Sequence, residues 1–189
     1  MKIAPPPPRI IAGLWRGKTL TAPTGLTTRP TSARVRQALF DMLLHASWGG
    51  PAFVQRARVL DVFAGTGALG LEALSRGAGH VSFLERDRAA LASLRANIAA
   101  CRAESMSHVF PIDATAPPRG VAHDLIMLDP PYGQNLIPLA LSALDQAGWL
   151  AKDALIIAEF GKGDEQPDDI DRLADRQHGA ASLVFWRRR

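Results

Sequence analysis

Cysteine is nearly absent, with one residue, Cys101, in a chain of 189. A lone thiol excludes an internal disulfide and most metal-binding patterns. It falls in step with Leu91, Leu94 and Ile98 on a helical stripe, so it reads as core packing. The five histidines, His45, His80, His108, His123 and His178, lack metal-ligand spacing, and no metal is expected. No stretch reaches the roughly 18 uncharged apolar residues of a membrane span. The start, Met1 to Pro8, is a proline tract rather than an apolar signal segment. A soluble, cytoplasmic protein is expected. Acid is missing only locally: up to Phe40 the chain holds Lys2, Arg9, Arg16, Lys18, Arg29, Arg34 and Arg36 but no Asp or Glu. Such one-sided charge is the footprint of a surface that meets phosphates, with a solvated basic face as the plain alternative.

At 47% hydrophobic and 21% charged, the chain can bury a sizeable core. We expect one compact unit with three parts: a proline-rich lead over 1–8, a hairpin and helix over 9–55, and a catalytic core over 56–189. Arg9 to Leu20, with glycines at 13 and 17, suggests a small hairpin, and Thr21 to Pro30 a loop. A helix begins at Thr31 or Ser32, because Val35, Leu39, Met42, Leu43 and Ala46 repeat at helical spacing; Gly49-Gly50-Pro51 ends it. Arg34 and Arg36 flank that stripe and should remain available to solvent or ligand.

From Arg58 strands and helices alternate. Strands are expected at Val59–Phe63, Val81–Leu84, Val109–Ile112, Leu125–Leu128 and Leu155–Phe160, and helices at Ala68–Arg76, Asp87–Arg102 and Leu136–Ala147. Such a succession makes a parallel sheet covered on both faces, since parallel strands need crossover connections. Leu173–Gln177 and Ser182–Arg187 should close it as an antiparallel hairpin. The expected fold is α/β, a doubly wound, mostly parallel sheet of seven strands.

Asp61-Val62-Phe63-Ala64-Gly65-Thr66-Gly67-Ala68-Leu69-Gly70 runs from the first strand into a helix. Gly65 and Gly67 permit a tight turn and close ligand approach, while Gly70 suits helix-to-strand packing. Glu85, after the next strand, is placed to accept ribose hydroxyls. Both features also fit an NAD-dependent oxidoreductase. Asp61, before the turn, and Asp113, after the third strand, favour a different ligand. S-adenosylmethionine carries an ammonium and a sulfonium but no pyrophosphate, so an acid-rich rim suits it. The cofactor-binding candidates are Asp61, Phe63, Ala64, Gly65, Thr66, Gly67, Glu85, Arg86, Asp113 and Ala114.

The most informative stretch is Asp129-Pro130-Pro131-Tyr132, at the end of an apolar strand. The prolines fix the backbone so that the Asp129 carboxylate and the Pro130 carbonyl can face one pocket. An aromatic amine is a poor nucleophile because its lone pair is delocalised. Two acceptors on its hydrogens favour a pyramidal nitrogen with the lone pair aimed at a donor methyl. Tyr132 would stack on a base extruded from its helix. The catalytic candidates are therefore Asp129, Pro130, Pro131 and Tyr132.

Taken together, these blocks resemble the bacterial 16S ribosomal RNA guanine-N2 methyltransferases, a branch of the Rossmann-like class I S-adenosylmethionine-dependent methyltransferases. The resemblance extends over nearly the whole chain after the proline tract. It rests on residues 9–18, on Arg29-Pro30-Thr31 followed by Arg34-Val35-Arg36 and Leu39-Phe40, on Phe63 to Gly77, and on Asp129 to Tyr132. Ala33 and Gln37 stand where the family pattern often has acids. The resemblance implies that Glu85 and Asp113 bind the cofactor and that Asp129 to Tyr132 hold a guanine. It further implies that the arm and the following helix contact ribosomal RNA or small-subunit particles, through Arg9, Trp15, Arg16, Lys18, Arg29, Thr31, Arg34 and Arg36. A monomer is expected. The alternatives are a DNA amino-methyltransferase acting on adenine N6 or cytosine N4, for which the arm is a short target-reading region, and a non-catalytic RNA-binding protein on the same fold.

Overall fold

A computed structural model of the chain describes residues 7–23, 32–161, 163–167, 170–179 and 181–188. Among these residues are five α-helices, α1 (Ala33–His45), α2 (Pro51–Arg56), α3 (Ala68–Ser75), α4 (Arg88–Cys101) and α5 (Leu136–Gln146), and a 3-10 turn at Glu104–Met106. Seven strands form one sheet: β1 (Arg58–Val62), β2 (His80–Leu84), β3 (Ser107–Phe110), β4 (His123–Leu128), β5 (Leu150–Phe160), β6 (Asp171–His178) and β7 (Ala181–Arg187). Their order is β3-β2-β1-β4-β5-β7-β6, parallel through β5, with β7 antiparallel to both β5 and β6. The fold is the α/β sheet expected, closed by its antiparallel hairpin.

Both faces of the sheet are apolar because both are covered. One face packs Val59, Phe83, Met127 and Ile157 against Leu39, Phe40 and Leu43 of α1, Leu71 of α3 and Leu94 and Ile98 of α4. Cys101 is buried in that same cluster. The other packs Leu60, Val62, Ile126, Leu128 and Ile156 against Ile137, Ala140 and Leu144 of α5 and Trp149. Burying each such side chain stabilises the fold by about 1.5–3 kcal/mol. Ser32 caps α1, its Oγ accepting from the Val35 amide at 3.2 Å, and Asp87 caps α4, accepting from Ala90 at 2.8 Å.

Two expectations need correction. Gly49-Gly50-Pro51 does end α1, but Pro51 also opens α2, since the first helical turn has no use for the missing amide proton. The arm over Arg9–Leu20 is the short hairpin expected: Arg9 bridges Thr19 antiparallel, Ile10 donates to the Lys18 carbonyl at 2.9 Å and Leu20 to the Pro8 carbonyl at 2.8 Å, with turns at Gly13 and Gly17. Arg36 is not available to solvent; at 1% exposure it is among the most buried side chains. Residues 1–6 of the proline lead, 24–30 of the loop, and Thr31 lie outside the described residues, and so does the RNA-binding candidate Arg29.

Candidate functional site

The chain steps outward from β1 to β2 and β3, then returns to lay β4 on the other side of β1. In open α/β sheets this reversal leaves a crevice at the carboxyl ends of the strands. Register decides which side chains reach it. Asp61 pairs with Phe83 on β2 and with Met127 on β4, and Met127 pairs with Ile157 on β5. Strand side chains alternate, so Glu85, Asp129 and Glu159, each two residues on, fall on the same face as Asp61. Four strands thus deliver four acids to the side of the sheet covered by α1 and α3.

Each acid is held differently. Asp61 is buried and accepts from the Gly70 amide at 2.8 Å, which ties β1 to the first turn of α3. Burial, with Glu85 adding to it against the Gly70 bond, pushes its carboxyl up to about 8. Glu85 accepts from the amides of Gly65, Arg86 and Asp87 at 2.8, 2.8 and 2.7 Å, so it locks the glycine turn to the end of β2. Asp129 is partly buried, and its carboxyl lies well above the usual carboxylate range. Burial is the main cause, Glu159 and Asp61 push the same way, and Arg36 opposes. Glu159, 4% exposed, accepts from the Tyr132 hydroxyl. That bond, with Gly161 packed against the ring, places the half-exposed Tyr132 over the end of β5.

The turn from β1 into α3 needs unusual backbone. Phe63, Gly65 and Gly67 all have positive φ, at 63°, 56° and 79°. A Cβ on Gly65 would meet only the Phe63 carbonyl, at 3.9 Å, so this position faces open space. Gly67 is crowded instead: a Cβ would lie 2.4 Å from Leu94 Cδ1 and 3.5 Å from the Phe83 ring. Only Gly65 therefore gives a ligand free approach to the backbone; Gly67 and Gly70 serve packing. Ala64 is buried, its amide bonded to the Leu84 carbonyl at 3.0 Å, and Thr66 gives its carbonyl to Asn97 at 2.9 Å. Beyond β3, Asp113 accepts from the Thr115 amide and hydroxyl and from Arg86 at 2.5 Å. The Thr115 bonds hold its carboxyl below the usual range, with help from Arg86. Ala114 beside it is buried.

The arm enters the same neighbourhood from the α1 and α3 side. Glu72, with no exposed surface, accepts from the amides of Ile11 and Ala12 at 2.7 and 3.0 Å and pairs with Arg76 at 2.7 Å. Ser75 accepts from the Trp15 amide and donates to the Ala12 carbonyl. Asn97 binds both the amide and the carbonyl of Thr21 as well as Thr66. Arg36 Nη2 donates to the Arg9 carbonyl at 2.7 Å. Burial lowers the Arg36 pKa, and the charges of Glu72 and Asp129 oppose that. Arg9, Arg16 and Arg34 have exposed side chains; Trp15 and Lys18 are partly covered, Lys18 donating to the Ala100 carbonyl. Pro130 is buried and Pro131 exposed.

Glu159, Glu72 and Asn97 were missed at the sequence level. Glu159 shows no local motif; only the alternation of β5 and its register against β4 single it out. The acid-lined crevice suits a ligand with positive charge, and the open side of Gly65 leaves room for one.

Comparison with known proteins agrees. The family model "Conserved hypothetical protein 95" matches residues 8–187. The ribosomal RNA small subunit methyltransferase D of Escherichia coli is 40% identical over 153 residues, covering 80% of this chain and 73% of that protein. Its Haemophilus influenzae counterpart is 38% identical over 185 residues, covering 94% and 92%. A solved Escherichia coli structure carrying a methyltransferase name, yhhF, superposes with a TM-score of 0.80 at 35% identity, covering 95% of this chain and 97% of the other. The chain therefore belongs to this family of methyltransferases, the one that includes ribosomal RNA small subunit methyltransferase D.

Proposed function

We propose that the chain methylates the exocyclic N2 amine of a guanine in bacterial small-subunit ribosomal RNA, and that it acts in the cytoplasm. The observation that carries this reading is the position of Asp129. It directly follows β4, in the alternation that puts Asp61 and Glu85 on the same side of the sheet, and leads into Pro130-Pro131-Tyr132. The names of the relatives support the choice of ribosomal RNA. No helix among the described residues is long and apolar enough to cross a membrane.

In this reading Asp61, Glu85, Asp113 and the backbone of 63–67 hold S-adenosylmethionine, with Arg86 and Ala114 at the rim. When bound, that group supplies a methyl on a positively charged sulfur. The chain supplies orientation. Asp129 and the Pro130 carbonyl accept the two hydrogens of the amine, fixing its lone pair in one direction, and such positioning accounts for a large part of a rate gain. Tyr132, anchored through its hydroxyl to Glu159, gives the extruded base an aromatic face. An acid whose pKa is raised is a stronger base once ionised, and a cation held nearby favours that ionised form. Asp129 is thus suited to take the amine proton on its carboxylate. Arg9, Arg16, Lys18, Arg34 and the neighbouring Trp15 would meet the RNA outside the cleft.

The test is methyl transfer from labelled S-adenosylmethionine to naked 16S ribosomal RNA, assembled small subunits and duplex DNA, followed by nucleoside mass spectrometry. N2-methylguanosine in the ribosomal RNA is the expected product. Label on adenine N6 or cytosine N4 of DNA would replace this reading with the DNA enzyme, and cofactor binding without transfer to any RNA would leave an RNA-binding protein.

A further inference from the structure

Helix α4 carries a basic surface that neither the cleft nor the arm accounts for. Its Leu91, Leu94, Ile98 and Cys101 are buried in the core. The exposed positions 88, 92, 95, 99 and 102 follow the spacing i, i+4, i+7, i+11 and i+14 and read Arg, Ala, Arg, Ala, Arg. A solvated helix face is ordinarily laced with both signs four residues apart. Here no Asp or Glu stands between Arg88 and Arg102. The guanidinium groups of Arg88, Arg95 and Arg102 make no hydrogen bond or ion pair with another described residue. Arg88 also occupies the first turn, where the helix dipole disfavours a cation. Folding alone does not ask for this arrangement.

Its placement points to a partner. One end of the stripe follows Glu85 and Arg86 at the rim of the crevice. The other end meets the arm, where Lys18 donates to the Ala100 carbonyl on the last turn of α4. The stripe spans about 20 Å with a cation about every 10 Å, from the rise of an α-helix. The alanines between leave a low floor on which a backbone can lie. Arginine forks match phosphate oxygens two at a time. We propose that this face of α4 binds the phosphate backbone of RNA and leads the strand between the basic arm and the cleft. The proposal rests on the reading of the chain as an RNA methyltransferase.

The experiment measures affinity for naked small-subunit ribosomal RNA against salt concentration, for the full chain and for R95Q, R102Q and the double variant. Arg119→Gln, which removes one exposed charge from the loop between β3 and β4, is the matched control. Each stripe variant should flatten the plot of log affinity against log salt by about 0.7–0.9, and the double variant by about twice that. R119Q should keep the parent slope, and S-adenosylmethionine affinity and melting temperature should not move in any variant. Parent slopes in R95Q and R102Q would overturn the proposal. So would a loss seen only with assembled particles, which would assign the stripe to a protein partner. If the parent methylates no RNA while the slopes still change, the functional reading fails and the stripe stands.

Discussion

The cleft and the arm solve opposite problems. In the cleft, backbone holds side chains: amides of Gly65, Arg86 and Asp87 fix Glu85, and the amide of Gly70 fixes Asp61. In the arm, side chains hold backbone: Glu72, Ser75, Asn97 and Arg36 seize the main chain of residues 9–21. Acids therefore converge where charge is buried, while the exposed bases of the arm ride on a clamped ribbon. Residue identity in the cleft reflects chemistry. Much of the arm's sequence reflects docking instead: a Cβ on Gly13 would lie 1.8 Å from the Ser75 carbonyl oxygen.

The largest test of that division is Asp129→Ala. If Asp129 accepts from the target amine as proposed, its removal should lower kcat by about a thousandfold, near 4 kcal/mol of barrier, with S-adenosylmethionine affinity within about threefold. Steady-state turnover and calorimetric titration read the two effects separately; unimpaired turnover would take Asp129 out of the reaction. Glu72→Ala should do the converse. It leaves the Ile11 and Ala12 amides and the buried Arg76 without their acceptor, a loss of about 3 kcal/mol. At this chain length that is roughly 6–12 °C in Tm, with early proteolytic cleavage in the arm. An unchanged Tm would mean the clamp contributes nothing to the fold.

The parallel part of the sheet was legible because β1, β2, β4 and β5 carry apolar runs closed by turn residues, and each long helix shows a 3.6-residue stripe. Pro51 opening a helix was hidden because Gly-Gly-Pro also describes a loop. Asp61, Glu85 and Asp129 stood out as acids closing apolar strands. Glu159 did not, since its place in the cleft depends on the register of β5 against β4. Arg36 misled for a related reason. It lies one position from Val35 in a helix, and only the arm folding over it, with Glu72 and Asp129 nearby, buries it. Long-range packing, invisible in local pattern, decided both.

A smaller effect tests the charge of the cleft itself. Asp61 titrates near 8 in the folded chain, far above its unfolded value. A raised acid pKa means the fold prefers the protonated form; that stability is full below about pH 4 and is lost as pH rises through about 8. Asp61→Asn keeps an oxygen for the Gly70 amide and cannot ionise. In cofactor-free protein it should shrink the fall in Tm between pH 6 and 9 by about 3 °C or more, read by thermal scans across that range. An unchanged fall would assign the alkaline loss to other groups, Asp129 first.

The smallest effect separates two arginines on α1. Arg34 is exposed and Arg36 is sealed, although only Val35 lies between them. Arg34→Gln removes a cation that touches solvent and no buried partner, so Tm should stay within about 1 °C of the parent. If Arg34 meets a phosphate, RNA affinity should lose about 0.7–0.9 from its salt slope, uniformly across RNA sequences. A parent-like slope would confine the phosphate surface to the arm and α4. Arg36→Gln removes the bond to the Arg9 carbonyl and a buried charge, so its effect belongs to stability rather than to the slope.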